Sequence, residues 1–195
     1  MVLARNNPKM SLQEFFQLIE SNPETRYEYM DGYVYMMTGG TARHALIGSN
    51  LNRILGNLLE GSSCLVYSSD AYVQVTETYC VSPDVTVSCD PRDRDDLIDE
   101  GELKVIQFPR VVIEVLSPST EARDRGIKSE QYQSCSTMQE FLLVDTQAPK
   151  IQLYRRTSGD LWTIQLFRPN EDIELTSIGV QFPVTKVYEN TRFSK

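Results

Sequence analysis

The chain has 195 residues, with 27 acidic and 19 basic side chains and a formal net charge of −8. This length is typical of one domain, and the hydrophobic fraction of 41% excludes a disordered or fibrous protein. The acidic balance argues against non-specific binding to nucleic acids or anionic membranes, since both need many Lys and Arg side chains. We expect a single domain over 1–195, with a core at about 11–168 and a C-terminal appendage at 169–195.

Membrane and secretion signals are not found in the sequence. No stretch approaches the roughly 18 apolar residues of a transmembrane helix, and no apolar run follows the basic residues near the N-terminus. The four cysteines, Cys64, Cys80, Cys89 and Cys135, contain no C-x-x-C pair, which disfavours a zinc site. Cys80 and Cys89 could bridge only if the fold brought them together. We therefore expect a cytoplasmic protein with four reduced thiols and no membrane partner.

The first sixty residues predict two helices around a hairpin. Ser11 begins a short helix over 11–19, because Glu14 stands at capping-box spacing and the apolar residues share one face. Asp31-Gly32 between tyrosine-rich stretches predicts a hairpin of strands 27–29 and 33–37. Apolar residues at spacings of three and four then predict a long helix from Thr41 to Glu60, which Gly61 ends.

The rest of the chain alternates strands with one further helix. A helix is predicted from Ser119 or Thr120 to about Ser134, and Ser158-Gly159-Asp160 is typical of a hairpin turn. From Asp172 onward we expect a short strand or an extended appendage. This order predicts an α/β fold with a mixed β-sheet flanked by α-helices. Strands are predicted at 64–67, 71–75, 84–89, 110–116, 141–144, 151–155 and 161–167.

One carboxylate stands inside a strand that is otherwise apolar. Glu114 lies in the run Val111–Leu116, and by alternation it shares a face with Val112 and Leu116. An unpaired ionised carboxylate there would cost several kcal/mol or take up a proton. Glu114 therefore needs a cation, and Asp84 after Pro83 at the start of another strand is a second such acid.

Two carboxylates on neighbouring strands suit a hard divalent cation. Mg²⁺ keeps most of its waters and needs only one or two protein carboxylates. Lys128, on the helix after the Glu114 strand, could point back toward that strand and complete a hydrolytic site. The simpler interpretation of Lys128 is a surface ion pair with Asp124 one helical turn earlier. Likewise, Glu28 and Asp84 could be exposed turn acids, since most charged residues are solvated.

Other catalytic machinery has little support in the sequence. The chain contains no phosphate loop, no G-x-G-x-x-G, no H-E-x-x-H and no G-x-S-x-G. Its one histidine, His44, falls in the first turn of a predicted helix, where a solvated or hydrogen-bonded imidazole is favoured over a site role. A two-carboxylate glycosidase fits poorly, because the one tryptophan, Trp162, is expected in the core.

The acidic motifs resemble those of the PD-(D/E)XK nucleases. Pro83-Asp84, 29 intervening residues and Glu114-Val115-Leu116 match that signature. Over about 11–154 the chain is similar to a large bacterial family of restriction-endonuclease-like proteins. The resemblance implies a restriction-endonuclease-like core with a mixed sheet flanked by helices. The wider pattern comprises Tyr27-Glu28-x-x-Asp31-Gly32, His44, Pro83-Asp84-Val85, Glu114-Val115-Leu116-Ser117-Pro118-Ser119-Thr120, Asp124, Lys128 and Tyr132.

The resemblance also implies roles for individual residues. Asp84 and Glu114 would bind the metal with help from the Val115 carbonyl, and Glu28 would reach the metal or its waters. The chain departs from the superfamily pattern two residues after Glu114, where Leu116 stands in place of the motif lysine. Branches of the superfamily carry this lysine on the adjacent helix, and Lys128 matches that position.

We therefore expect an endonuclease that hydrolyses DNA phosphodiester bonds with Mg²⁺, or with Mn²⁺ in its place. Its catalytic residues would be Glu28, Asp84, Glu114 and Lys128, and a homodimer would allow both strands to be cut. The alternative is a catalytically inactive nuclease-fold module used for partner binding or dimerisation. Leu116 at the lysine position and the acidic composition favour that alternative.

Much of the negative charge is concentrated in one segment. The run from Asp93 to Glu102 carries a net charge of −5, and we expect it to be a solvated loop or a helix edge. Outside it the balance is −3, and the four candidate site residues account for −2, which one Mg²⁺ would cancel. A local basic surface is compatible with the remaining −1. DNA binding is therefore expected to be modest and strongly salt-dependent.

Overall fold

The computed structural model describes residues 9–37, 39–94 and 105–194. Its helices are α1 (Leu12–Ser21), α2 (Ala42–Leu58), α3 (Glu121–Arg123), α4 (Ser129–Ser134) and α5 (Val184–Val187). A π-helical turn (Asp124–Lys128) joins α3 to α4, and a 3₁₀ turn spans Pro91–Asp93. The strands are β1 (Tyr27–Met30), β2 (Tyr33–Met36), β3 (Leu65–Ser68), β4 (Tyr72–Thr76), β5 (Tyr79–Val81), β6 (Val85–Ser88), β7 (Val105–Ile106), β8 (Pro109–Leu116), β9 (Glu140–Asp145), β10 (Ile151–Ser158), β11 (Leu161–Phe167), β12 (Asp172–Leu175) and β13 (Val180–Pro183).

Two mixed sheets and a short ribbon organise these strands. The large sheet has six strands in the order β11-β10-β9-β8-β6-β3, with β8 and β9 parallel and the other neighbours antiparallel. The small sheet has five strands in the order β2-β1-β5-β4-β7, with β4 and β7 parallel. Strands β12 and β13 form a separate antiparallel ribbon. The expected α/β fold with mixed sheets and flanking helices is confirmed.

The two sheets pack against each other, and helices cover their outer faces. Alternation along β8 sends Val111 and Ile113 toward α2 and the C-terminal ribbon, whereas Val112 and Leu116 face the small sheet. Helix α1 covers the far side of the small sheet through Phe15 and its neighbours. The strand that carries Glu114 therefore lies in the middle of the molecule with both faces covered.

The C-terminal segment belongs to the core, so the expectation of an appendage at 169–195 is wrong. Its apolar residues join the cluster between α2 and the large sheet. The hydroxyl of Tyr188, which is 2% exposed, donates to the carbonyls of Asp145 and Lys150 at 3.0 and 2.8 Å. Asn50 on α2 donates to the Val187 carbonyl at 3.1 Å. The buried residues of the segment are Ile173, Leu175, Val180, Phe182, Val184, Val187 and Tyr188.

Most predicted elements are present, and the largest difference concerns the third helix. The capping box of Ser11 and Glu14, the Asp31-Gly32 hairpin and the long helix α2 are confirmed. The continuous helix expected over 120–134 is interrupted, because the backbone kinks at Gly126 within the π-helical turn. Strands β5 and β7 were not predicted, since each has at most three residues.

The cysteines differ from the expected four reduced thiols. Cys64 and Cys89 form a disulfide, while Cys80 and Cys135 are buried free thiols. The bond follows from strand register, because the antiparallel pair Leu65↔Ser88 places Cys64, just before β3, opposite Cys89, just after β6. Burial raises the pKa of the Cys80 thiol far above its ordinary value. Among the described residues, no helix has the length and apolar character needed to cross a membrane.

Asp93 contradicts the expectation that the acidic run is solvated along its whole length. It is only 4% exposed. Its carboxylate accepts hydrogen bonds from the Ser88 hydroxyl and from the backbone amides of Gln107 and Phe108, at 2.6, 2.9 and 3.0 Å. Asp93 thus ties the end of β6 to the start of β8. The acidic residues of the run at 95–102 lie outside the described residues.

Candidate functional site

The candidate site lies at the interface between the two sheets. Glu28 on β1 shares a strand face with Met30, which packs in the cluster between the sheets. Glu114 on β8 faces the same cluster from the large sheet, together with Val112 and Leu116. These carboxylates are 0% and 4% exposed. Two acids from different sheets therefore point into one interior region.

Lys128 places its ammonium group between these acids. Its Nζ lies 2.7 Å from Glu28 Oε1 and 2.9 Å from Glu114 Oε1. Asp124 contributes a third carboxylate oxygen at 3.6 Å. Because Lys128 is only 2% exposed, the interpretation as a surface ion pair with Asp124 is wrong. The lysine is instead the centre of a buried charge cluster.

The π-helical turn brings Asp124 and Lys128 inside. The turn follows three residues of α-helix and ends where α4 begins, with the kink at Gly126 between them. The Ser129 hydroxyl donates to the Asp124 carbonyl at 2.7 Å across this turn. Ile127 in the same turn is 40% exposed. The turn therefore directs Ile127 outward, while Asp124 and Lys128 point into the interior. π-Turns within helices are frequent at functional sites.

Arg123 and Tyr132 complete the interior contacts of the two glutamates. Arg123 approaches Glu28 Oε2 at 2.7 Å, so each oxygen of Glu28 has a cation beside it. The Tyr132 hydroxyl donates to the same Glu114 oxygen that contacts Lys128. Oε1 of Glu114 is therefore fully engaged. Its other oxygen, Oε2, has no hydrogen-bond partner among the described residues.

Asp84 lies at the edge of the cluster, where the β6–β8 ladder ends. The register Val85↔Ile113 places Asp84 next to Glu114 along this ladder. Its Oδ2 accepts the Val115 N–H at 2.7 Å and lies 3.4 Å from His44 Nε2. The Asp84 side chain is 19% exposed, so it is not a freely solvated turn acid. His44 at the start of α2 thus contacts the site across 40 residues of sequence.

Burial and mutual repulsion set the protonation of this cluster. Burial, opposed by the charge of Lys128 and assisted by Asp124 and Asp84, raises the pKa of Glu114 to about 8. Burial disfavours the charged form of Lys128, but the carboxylates of Glu114, Glu28 and Asp124 outweigh it and raise the lysine pKa. Burial likewise raises the pKa of Asp124. Lys128 therefore remains an ammonium ion throughout the physiological range.

The carboxylates of the site also change the pKa values of Tyr132 and His44. Burial and the Glu114 carboxylate raise the pKa of Tyr132 well above its ordinary value, so its hydroxyl stays a hydrogen-bond donor. The hydrogen bond to Asp84 raises the pKa of His44 above 6.5, although burial opposes this change. His44 therefore keeps its positive charge up to a higher pH than an ordinary imidazole does.

A cavity of about 440 Å³ opens the cluster to solvent. Asp84, Glu114, Asp124 and Lys128 all line it, so charged groups from two strands and the π-turn face the same space. The N-terminal end of α2 and a series of hydroxyl side chains form the remaining walls. The hydroxyl residues are Thr41, Ser49, Ser68, Ser69, Ser82, Ser117, Ser119 and Thr120.

The four predicted site residues are not placed equally. Glu28, Glu114 and Lys128 are in direct contact, while Asp84 joins them through the Val115 amide and the shared cavity. Glu28 is completely buried, so its interpretation as an exposed turn residue is wrong. Arg123 was not selected from the sequence, and His44 was assigned a solvated or simply hydrogen-bonded role. A lone arginine or histidine on a helix carries no sequence signal for contacts made in three dimensions.

The donors at the cavity suit a hard cation with few protein ligands. Oδ1 of Asp84 and Oε2 of Glu114 have no hydrogen-bond partner among the described residues, and both carboxylates face the cavity. Within the described part of the chain, no three His, Cys, Asp or Glu side chains form a compact metal cluster. Two carboxylates beside open solvent match the preference of Mg²⁺, which retains several waters. The residues present therefore fit a Mg²⁺ site and not a closed zinc site.

Comparison with known proteins identifies the family. The family model Uma2, described as “Putative restriction endonuclease”, matches residues 12–185. The chain belongs to the Uma2 family. This confirms the resemblance drawn from the acidic motifs, and the match includes the C-terminal ribbon and α5.

Relatives of the Uma2 protein agree in length as well as in sequence. An uncharacterized protein of Synechocystis sp. is 38% identical over 187 residues, which cover 95% of each chain. A second uncharacterized Synechocystis protein is 23% identical over 179 residues, covering 90% of this chain and 98% of that one. A crystal structure from Anabaena variabilis, of “a putative nuclease belonging to DUF820”, has a TM-score of 0.72 at 18% identity. It covers 92% of this chain and 97% of that one, which shows a shared fold.

Proposed function

We propose that this Uma2 protein is a Mg²⁺-dependent endonuclease that hydrolyses DNA phosphodiester bonds, with Mn²⁺ able to replace Mg²⁺. One observation carries the proposal. Three buried carboxylates, Glu28, Glu114 and Asp124, lie around the cations Lys128 and Arg123, and Asp84, which contacts His44, faces the same cavity as Glu114 and Asp124. With the four carboxylates, Lys128 and Arg123 ionised and His44 neutral, the cluster is short of two positive charges. One divalent cation would balance it.

Asp84 and Glu114 are the residues we assign to the metal. Each presents a carboxylate to the cavity and has an oxygen without a partner among the described residues. The cation would polarise the scissile phosphate and supply an activated water for attack on phosphorus. A nearby cation also favours the ionised form of Glu114, whose pKa burial has raised.

Lys128 acts in this proposal as a fixed positive charge and not as a base. The three surrounding carboxylates keep it protonated, so it has hydrogens to donate but no lone pair to accept a proton. At the cavity wall it can orient the attacking water or offset charge that develops on the phosphate. We therefore propose that Lys128 takes the part of the motif lysine that Leu116, itself 2% exposed in the core, cannot take.

Glu28 positions cations in this scheme. Both of its oxygens are within 2.7 Å of a positively charged group, one from Lys128 and one from Arg123. Since Glu28 belongs to the small sheet, its ion pairs tie the helical segment that carries both cations to that sheet. Arg123 also lines the cavity, where its guanidinium can contact a substrate phosphate.

We also propose that the protein acts as a homodimer, because one chain provides one such site and cutting both strands requires two. The exposed edge strand β11 offers a surface for a second copy, with Leu161 and Ile164 exposed by 68% and 61%. The expected result of light scattering is a mass of two chains. A monomeric mass would contradict the dimer but not the active site.

Plasmid cleavage tests the enzymatic proposal. With Mg²⁺ or Mn²⁺ the wild-type protein should relax or linearise supercoiled DNA, and chelation should stop the reaction. Asp84→Asn and Glu114→Gln should each lower the rate by about three orders of magnitude, because a metal site contributes several kcal/mol to the barrier. Glu174→Gln makes the same chemical change as Glu114→Gln at an exposed position of strand β12 and serves as the matched control. Equal cleavage by all four proteins would refute the proposal.

The inactive-module alternative makes the opposite prediction for the same proteins. It rests on Leu116 in the motif-lysine position and on the acidic composition. In that case the buried cluster would be structural, and no Mg²⁺ or Mn²⁺ binding would depend on Glu114. The wild-type protein would then leave the plasmid intact at every metal concentration.

A further inference from the structure

Strand β11 is an edge of the large sheet, and its outer side is open. It pairs with β10 on one side, and no strand among the described residues pairs with it on the other. The strand Leu161–Phe167 carries no charged residue and no proline, although such residues usually protect an exposed edge from pairing with another chain. Ile164 and Leu166 are exposed by 61% and 43%. The edge is therefore suited to the addition of another strand.

The two ends of β11 carry opposite charges. Asp160 stands just before the strand with a fully exposed side chain, and Arg168 stands just after it and is also exposed. The Asp160 carboxylate lies 3.6 Å from Arg156, whose guanidinium already donates to four backbone carbonyls. The Arg168 side chain has no ion-pair partner among the described residues. Both charges are therefore available to another chain.

These charges make the edge complementary to a second copy of itself. Asp160 and Arg168 are equally far in sequence from Ile164, which stands at the middle of the strand. If two copies of β11 pair antiparallel about a two-fold axis at Ile164, Asp160 lies opposite the partner's Arg168. The symmetry repeats this ion pair at the other end. On one face of the sheet, Trp162 then lies opposite the partner's Leu166, which adds an apolar cross-strand contact.

Neighbouring registers of the same pairing lose these ion pairs. An axis at Thr163 would place Asp160 opposite the partner's Leu166. An axis at Gln165 would place Arg168 opposite the partner's Trp162. Charge complementarity therefore favours a second copy of this chain at the edge, and it favours the register centred on Ile164.

We propose that two copies of this chain pair through β11, antiparallel and centred on Ile164, so that their large sheets join edge to edge. This inference rests on the homodimer of the proposed nuclease function, and it adds the register and the ion pairs of that dimer. Pairing gives partners to the backbone N–H and C=O groups along the open edge of both copies. It also places Ile164 of each copy against the other copy, which reduces the contact of its side chain with water.

The joined sheet places the two candidate sites on the same face. Successive pairs across the large sheet, Glu114↔Leu143, Leu143↔Gln152 and Gln152↔Leu166, place Glu114 level with Leu166. A two-fold axis perpendicular to the sheet keeps the Glu114 side chains of both copies on one face. From β8 of one copy to β8 of the other, the joined sheet extends about 34 Å, at about 4.8 Å per strand. One turn of B-DNA is about as long, so this spacing suits a single duplex.

Charge reversal at the ends of β11 tests the pairing. Sedimentation velocity over a range of protein concentrations measures the dissociation constant of the dimer for Asp160→Lys, Arg168→Glu and the double variant. Each single reversal places like charges opposite each other at both ends, so we expect dimerisation to be about tenfold weaker. The double variant restores both ion pairs and should dimerise within about threefold of the wild-type protein. Lys186→Glu, the same kind of reversal at an exposed position of α5, is the matched control. Thermal unfolding checks that each variant is folded.

Cysteine cross-linking tests the register. Ile164→Cys places two thiols directly opposite each other at the two-fold axis, where Cβ atoms are about 5 Å apart. Mild oxidation should therefore give a covalent dimer of this variant. Leu161→Cys is the control, because this position is 68% exposed but lies about 20 Å from its own copy in this register. The free cysteines of the wild-type chain are buried and should not cross-link.

The outcomes separate this interface from the nuclease proposal. Weaker dimers of the single variants, a restored double variant and a cross-link through Ile164→Cys would support the interface even if the protein cleaves no plasmid. A dimer that none of the reversals changes, or a cross-link through Leu161→Cys in place of Ile164→Cys, would overturn the interface and leave the nuclease proposal standing. A wild-type monomer would overturn the interface and the homodimer together, and plasmid cleavage by that monomer would still support the active site.

Discussion

Within the described part of the chain, two clusters bury a glutamate completely, and they differ in what surrounds it. Glu140 and Glu28 are both 0% exposed. Glu140 accepts hydrogen bonds from Arg155 at 2.7 Å and from the Ser177 amide and hydroxyl at 3.1 and 2.5 Å. One acid there meets one base and several neutral donors. Around Glu28, three buried acids share two bases, and two of these acids, Glu114 and Asp124, line a cavity together with Asp84.

The comparison shows that burial of an acid does not by itself indicate a functional site. At Glu140 the hydrogen bonds tie β9 to β10 and to the turn after β12, which is a structural task. At Glu28 and Glu114 the carboxylates outnumber the cations that contact them, and burial, assisted by the neighbouring carboxylates, raises the pKa of Glu114. Excess charge beside an open cavity is the feature that points to a bound cation.

Replacing Lys128 should produce the largest effect on stability. In Lys128→Met three buried carboxylates lose their shared cation, so we expect a loss of about 3–5 kcal/mol in the free energy of unfolding. Lys186→Met removes an exposed ion pair with Glu189 and should change the stability by less than about 1 kcal/mol. Urea unfolding of both variants measures the difference, and equal small losses would show that Lys128 balances no buried charge.

The same variant should also change how stability depends on pH. Lys128 lowers the pKa of Glu114 against the effect of burial, so its removal raises that pKa further. A carboxyl whose folded pKa exceeds its unfolded value of 4.5 destabilises the fold as pH rises from the unfolded to the folded pKa. The stability loss of Lys128→Met should therefore be smaller at pH 5 than at pH 8.

Glu140→Gln should sharpen the contrast between the two clusters. It weakens charge-assisted hydrogen bonds to Arg155 and Ser177, so we expect about 2 kcal/mol of lost stability. Metal affinity and plasmid cleavage should be unchanged, because this cluster is separate from the residues that line the cavity. A large loss of cleavage in a folded Glu140→Gln protein would show that the Glu140 cluster is not purely structural.

His44 should give the smallest effect. Its hydrogen bond to Asp84 raises the imidazole pKa, and a raised histidine pKa stabilises the fold below pH 6.5 and loses this effect as pH rises through the folded value. In the presence of a chelator, His44→Asn should be destabilised more at pH 5.5 than at pH 8.5. Unfolding curves at the two pH values measure this effect. If His44→Asn loses the same stability at both pH values, His44 and Asp84 have no charge coupling.

The sequence predicted the strands of the site better than its helix. The nearly continuous apolar run correctly placed Glu114 on a buried strand, and the Asp31-Gly32 hairpin correctly placed Glu28 on β1. The π-helical turn could not be predicted, because its pattern of side chains is also compatible with a continuous α-helix. The sequence therefore suggested that Lys128 could reach the strand that carries Glu114. Its contact with Glu28 could not be predicted, because Glu28 lies on β1, a strand of the other sheet that is distant in sequence.

The remaining errors have the same origin in long-range contacts. The Cys64–Cys89 disulfide depends on the register of β3 with β6, and burial of the C-terminal segment depends on its packing against α2. Asp93 looked like one member of a charged run, but three donors from β6 and from 107–108 surround its carboxylate. Local patterns carry no information about such partners.

Calorimetric titration with Mn²⁺ measures whether Asp84 and Glu114 bind a divalent cation at the cavity. The wild-type protein and Glu174→Gln should each bind at least one Mn²⁺ per chain, because excess carboxylates at the cavity require a cation. Asp84→Asn and Glu114→Gln should lose at least about tenfold in affinity while remaining folded. Identical titrations for all four proteins would show that Asp84 and Glu114 bind no metal and would leave the buried cluster with a structural role only.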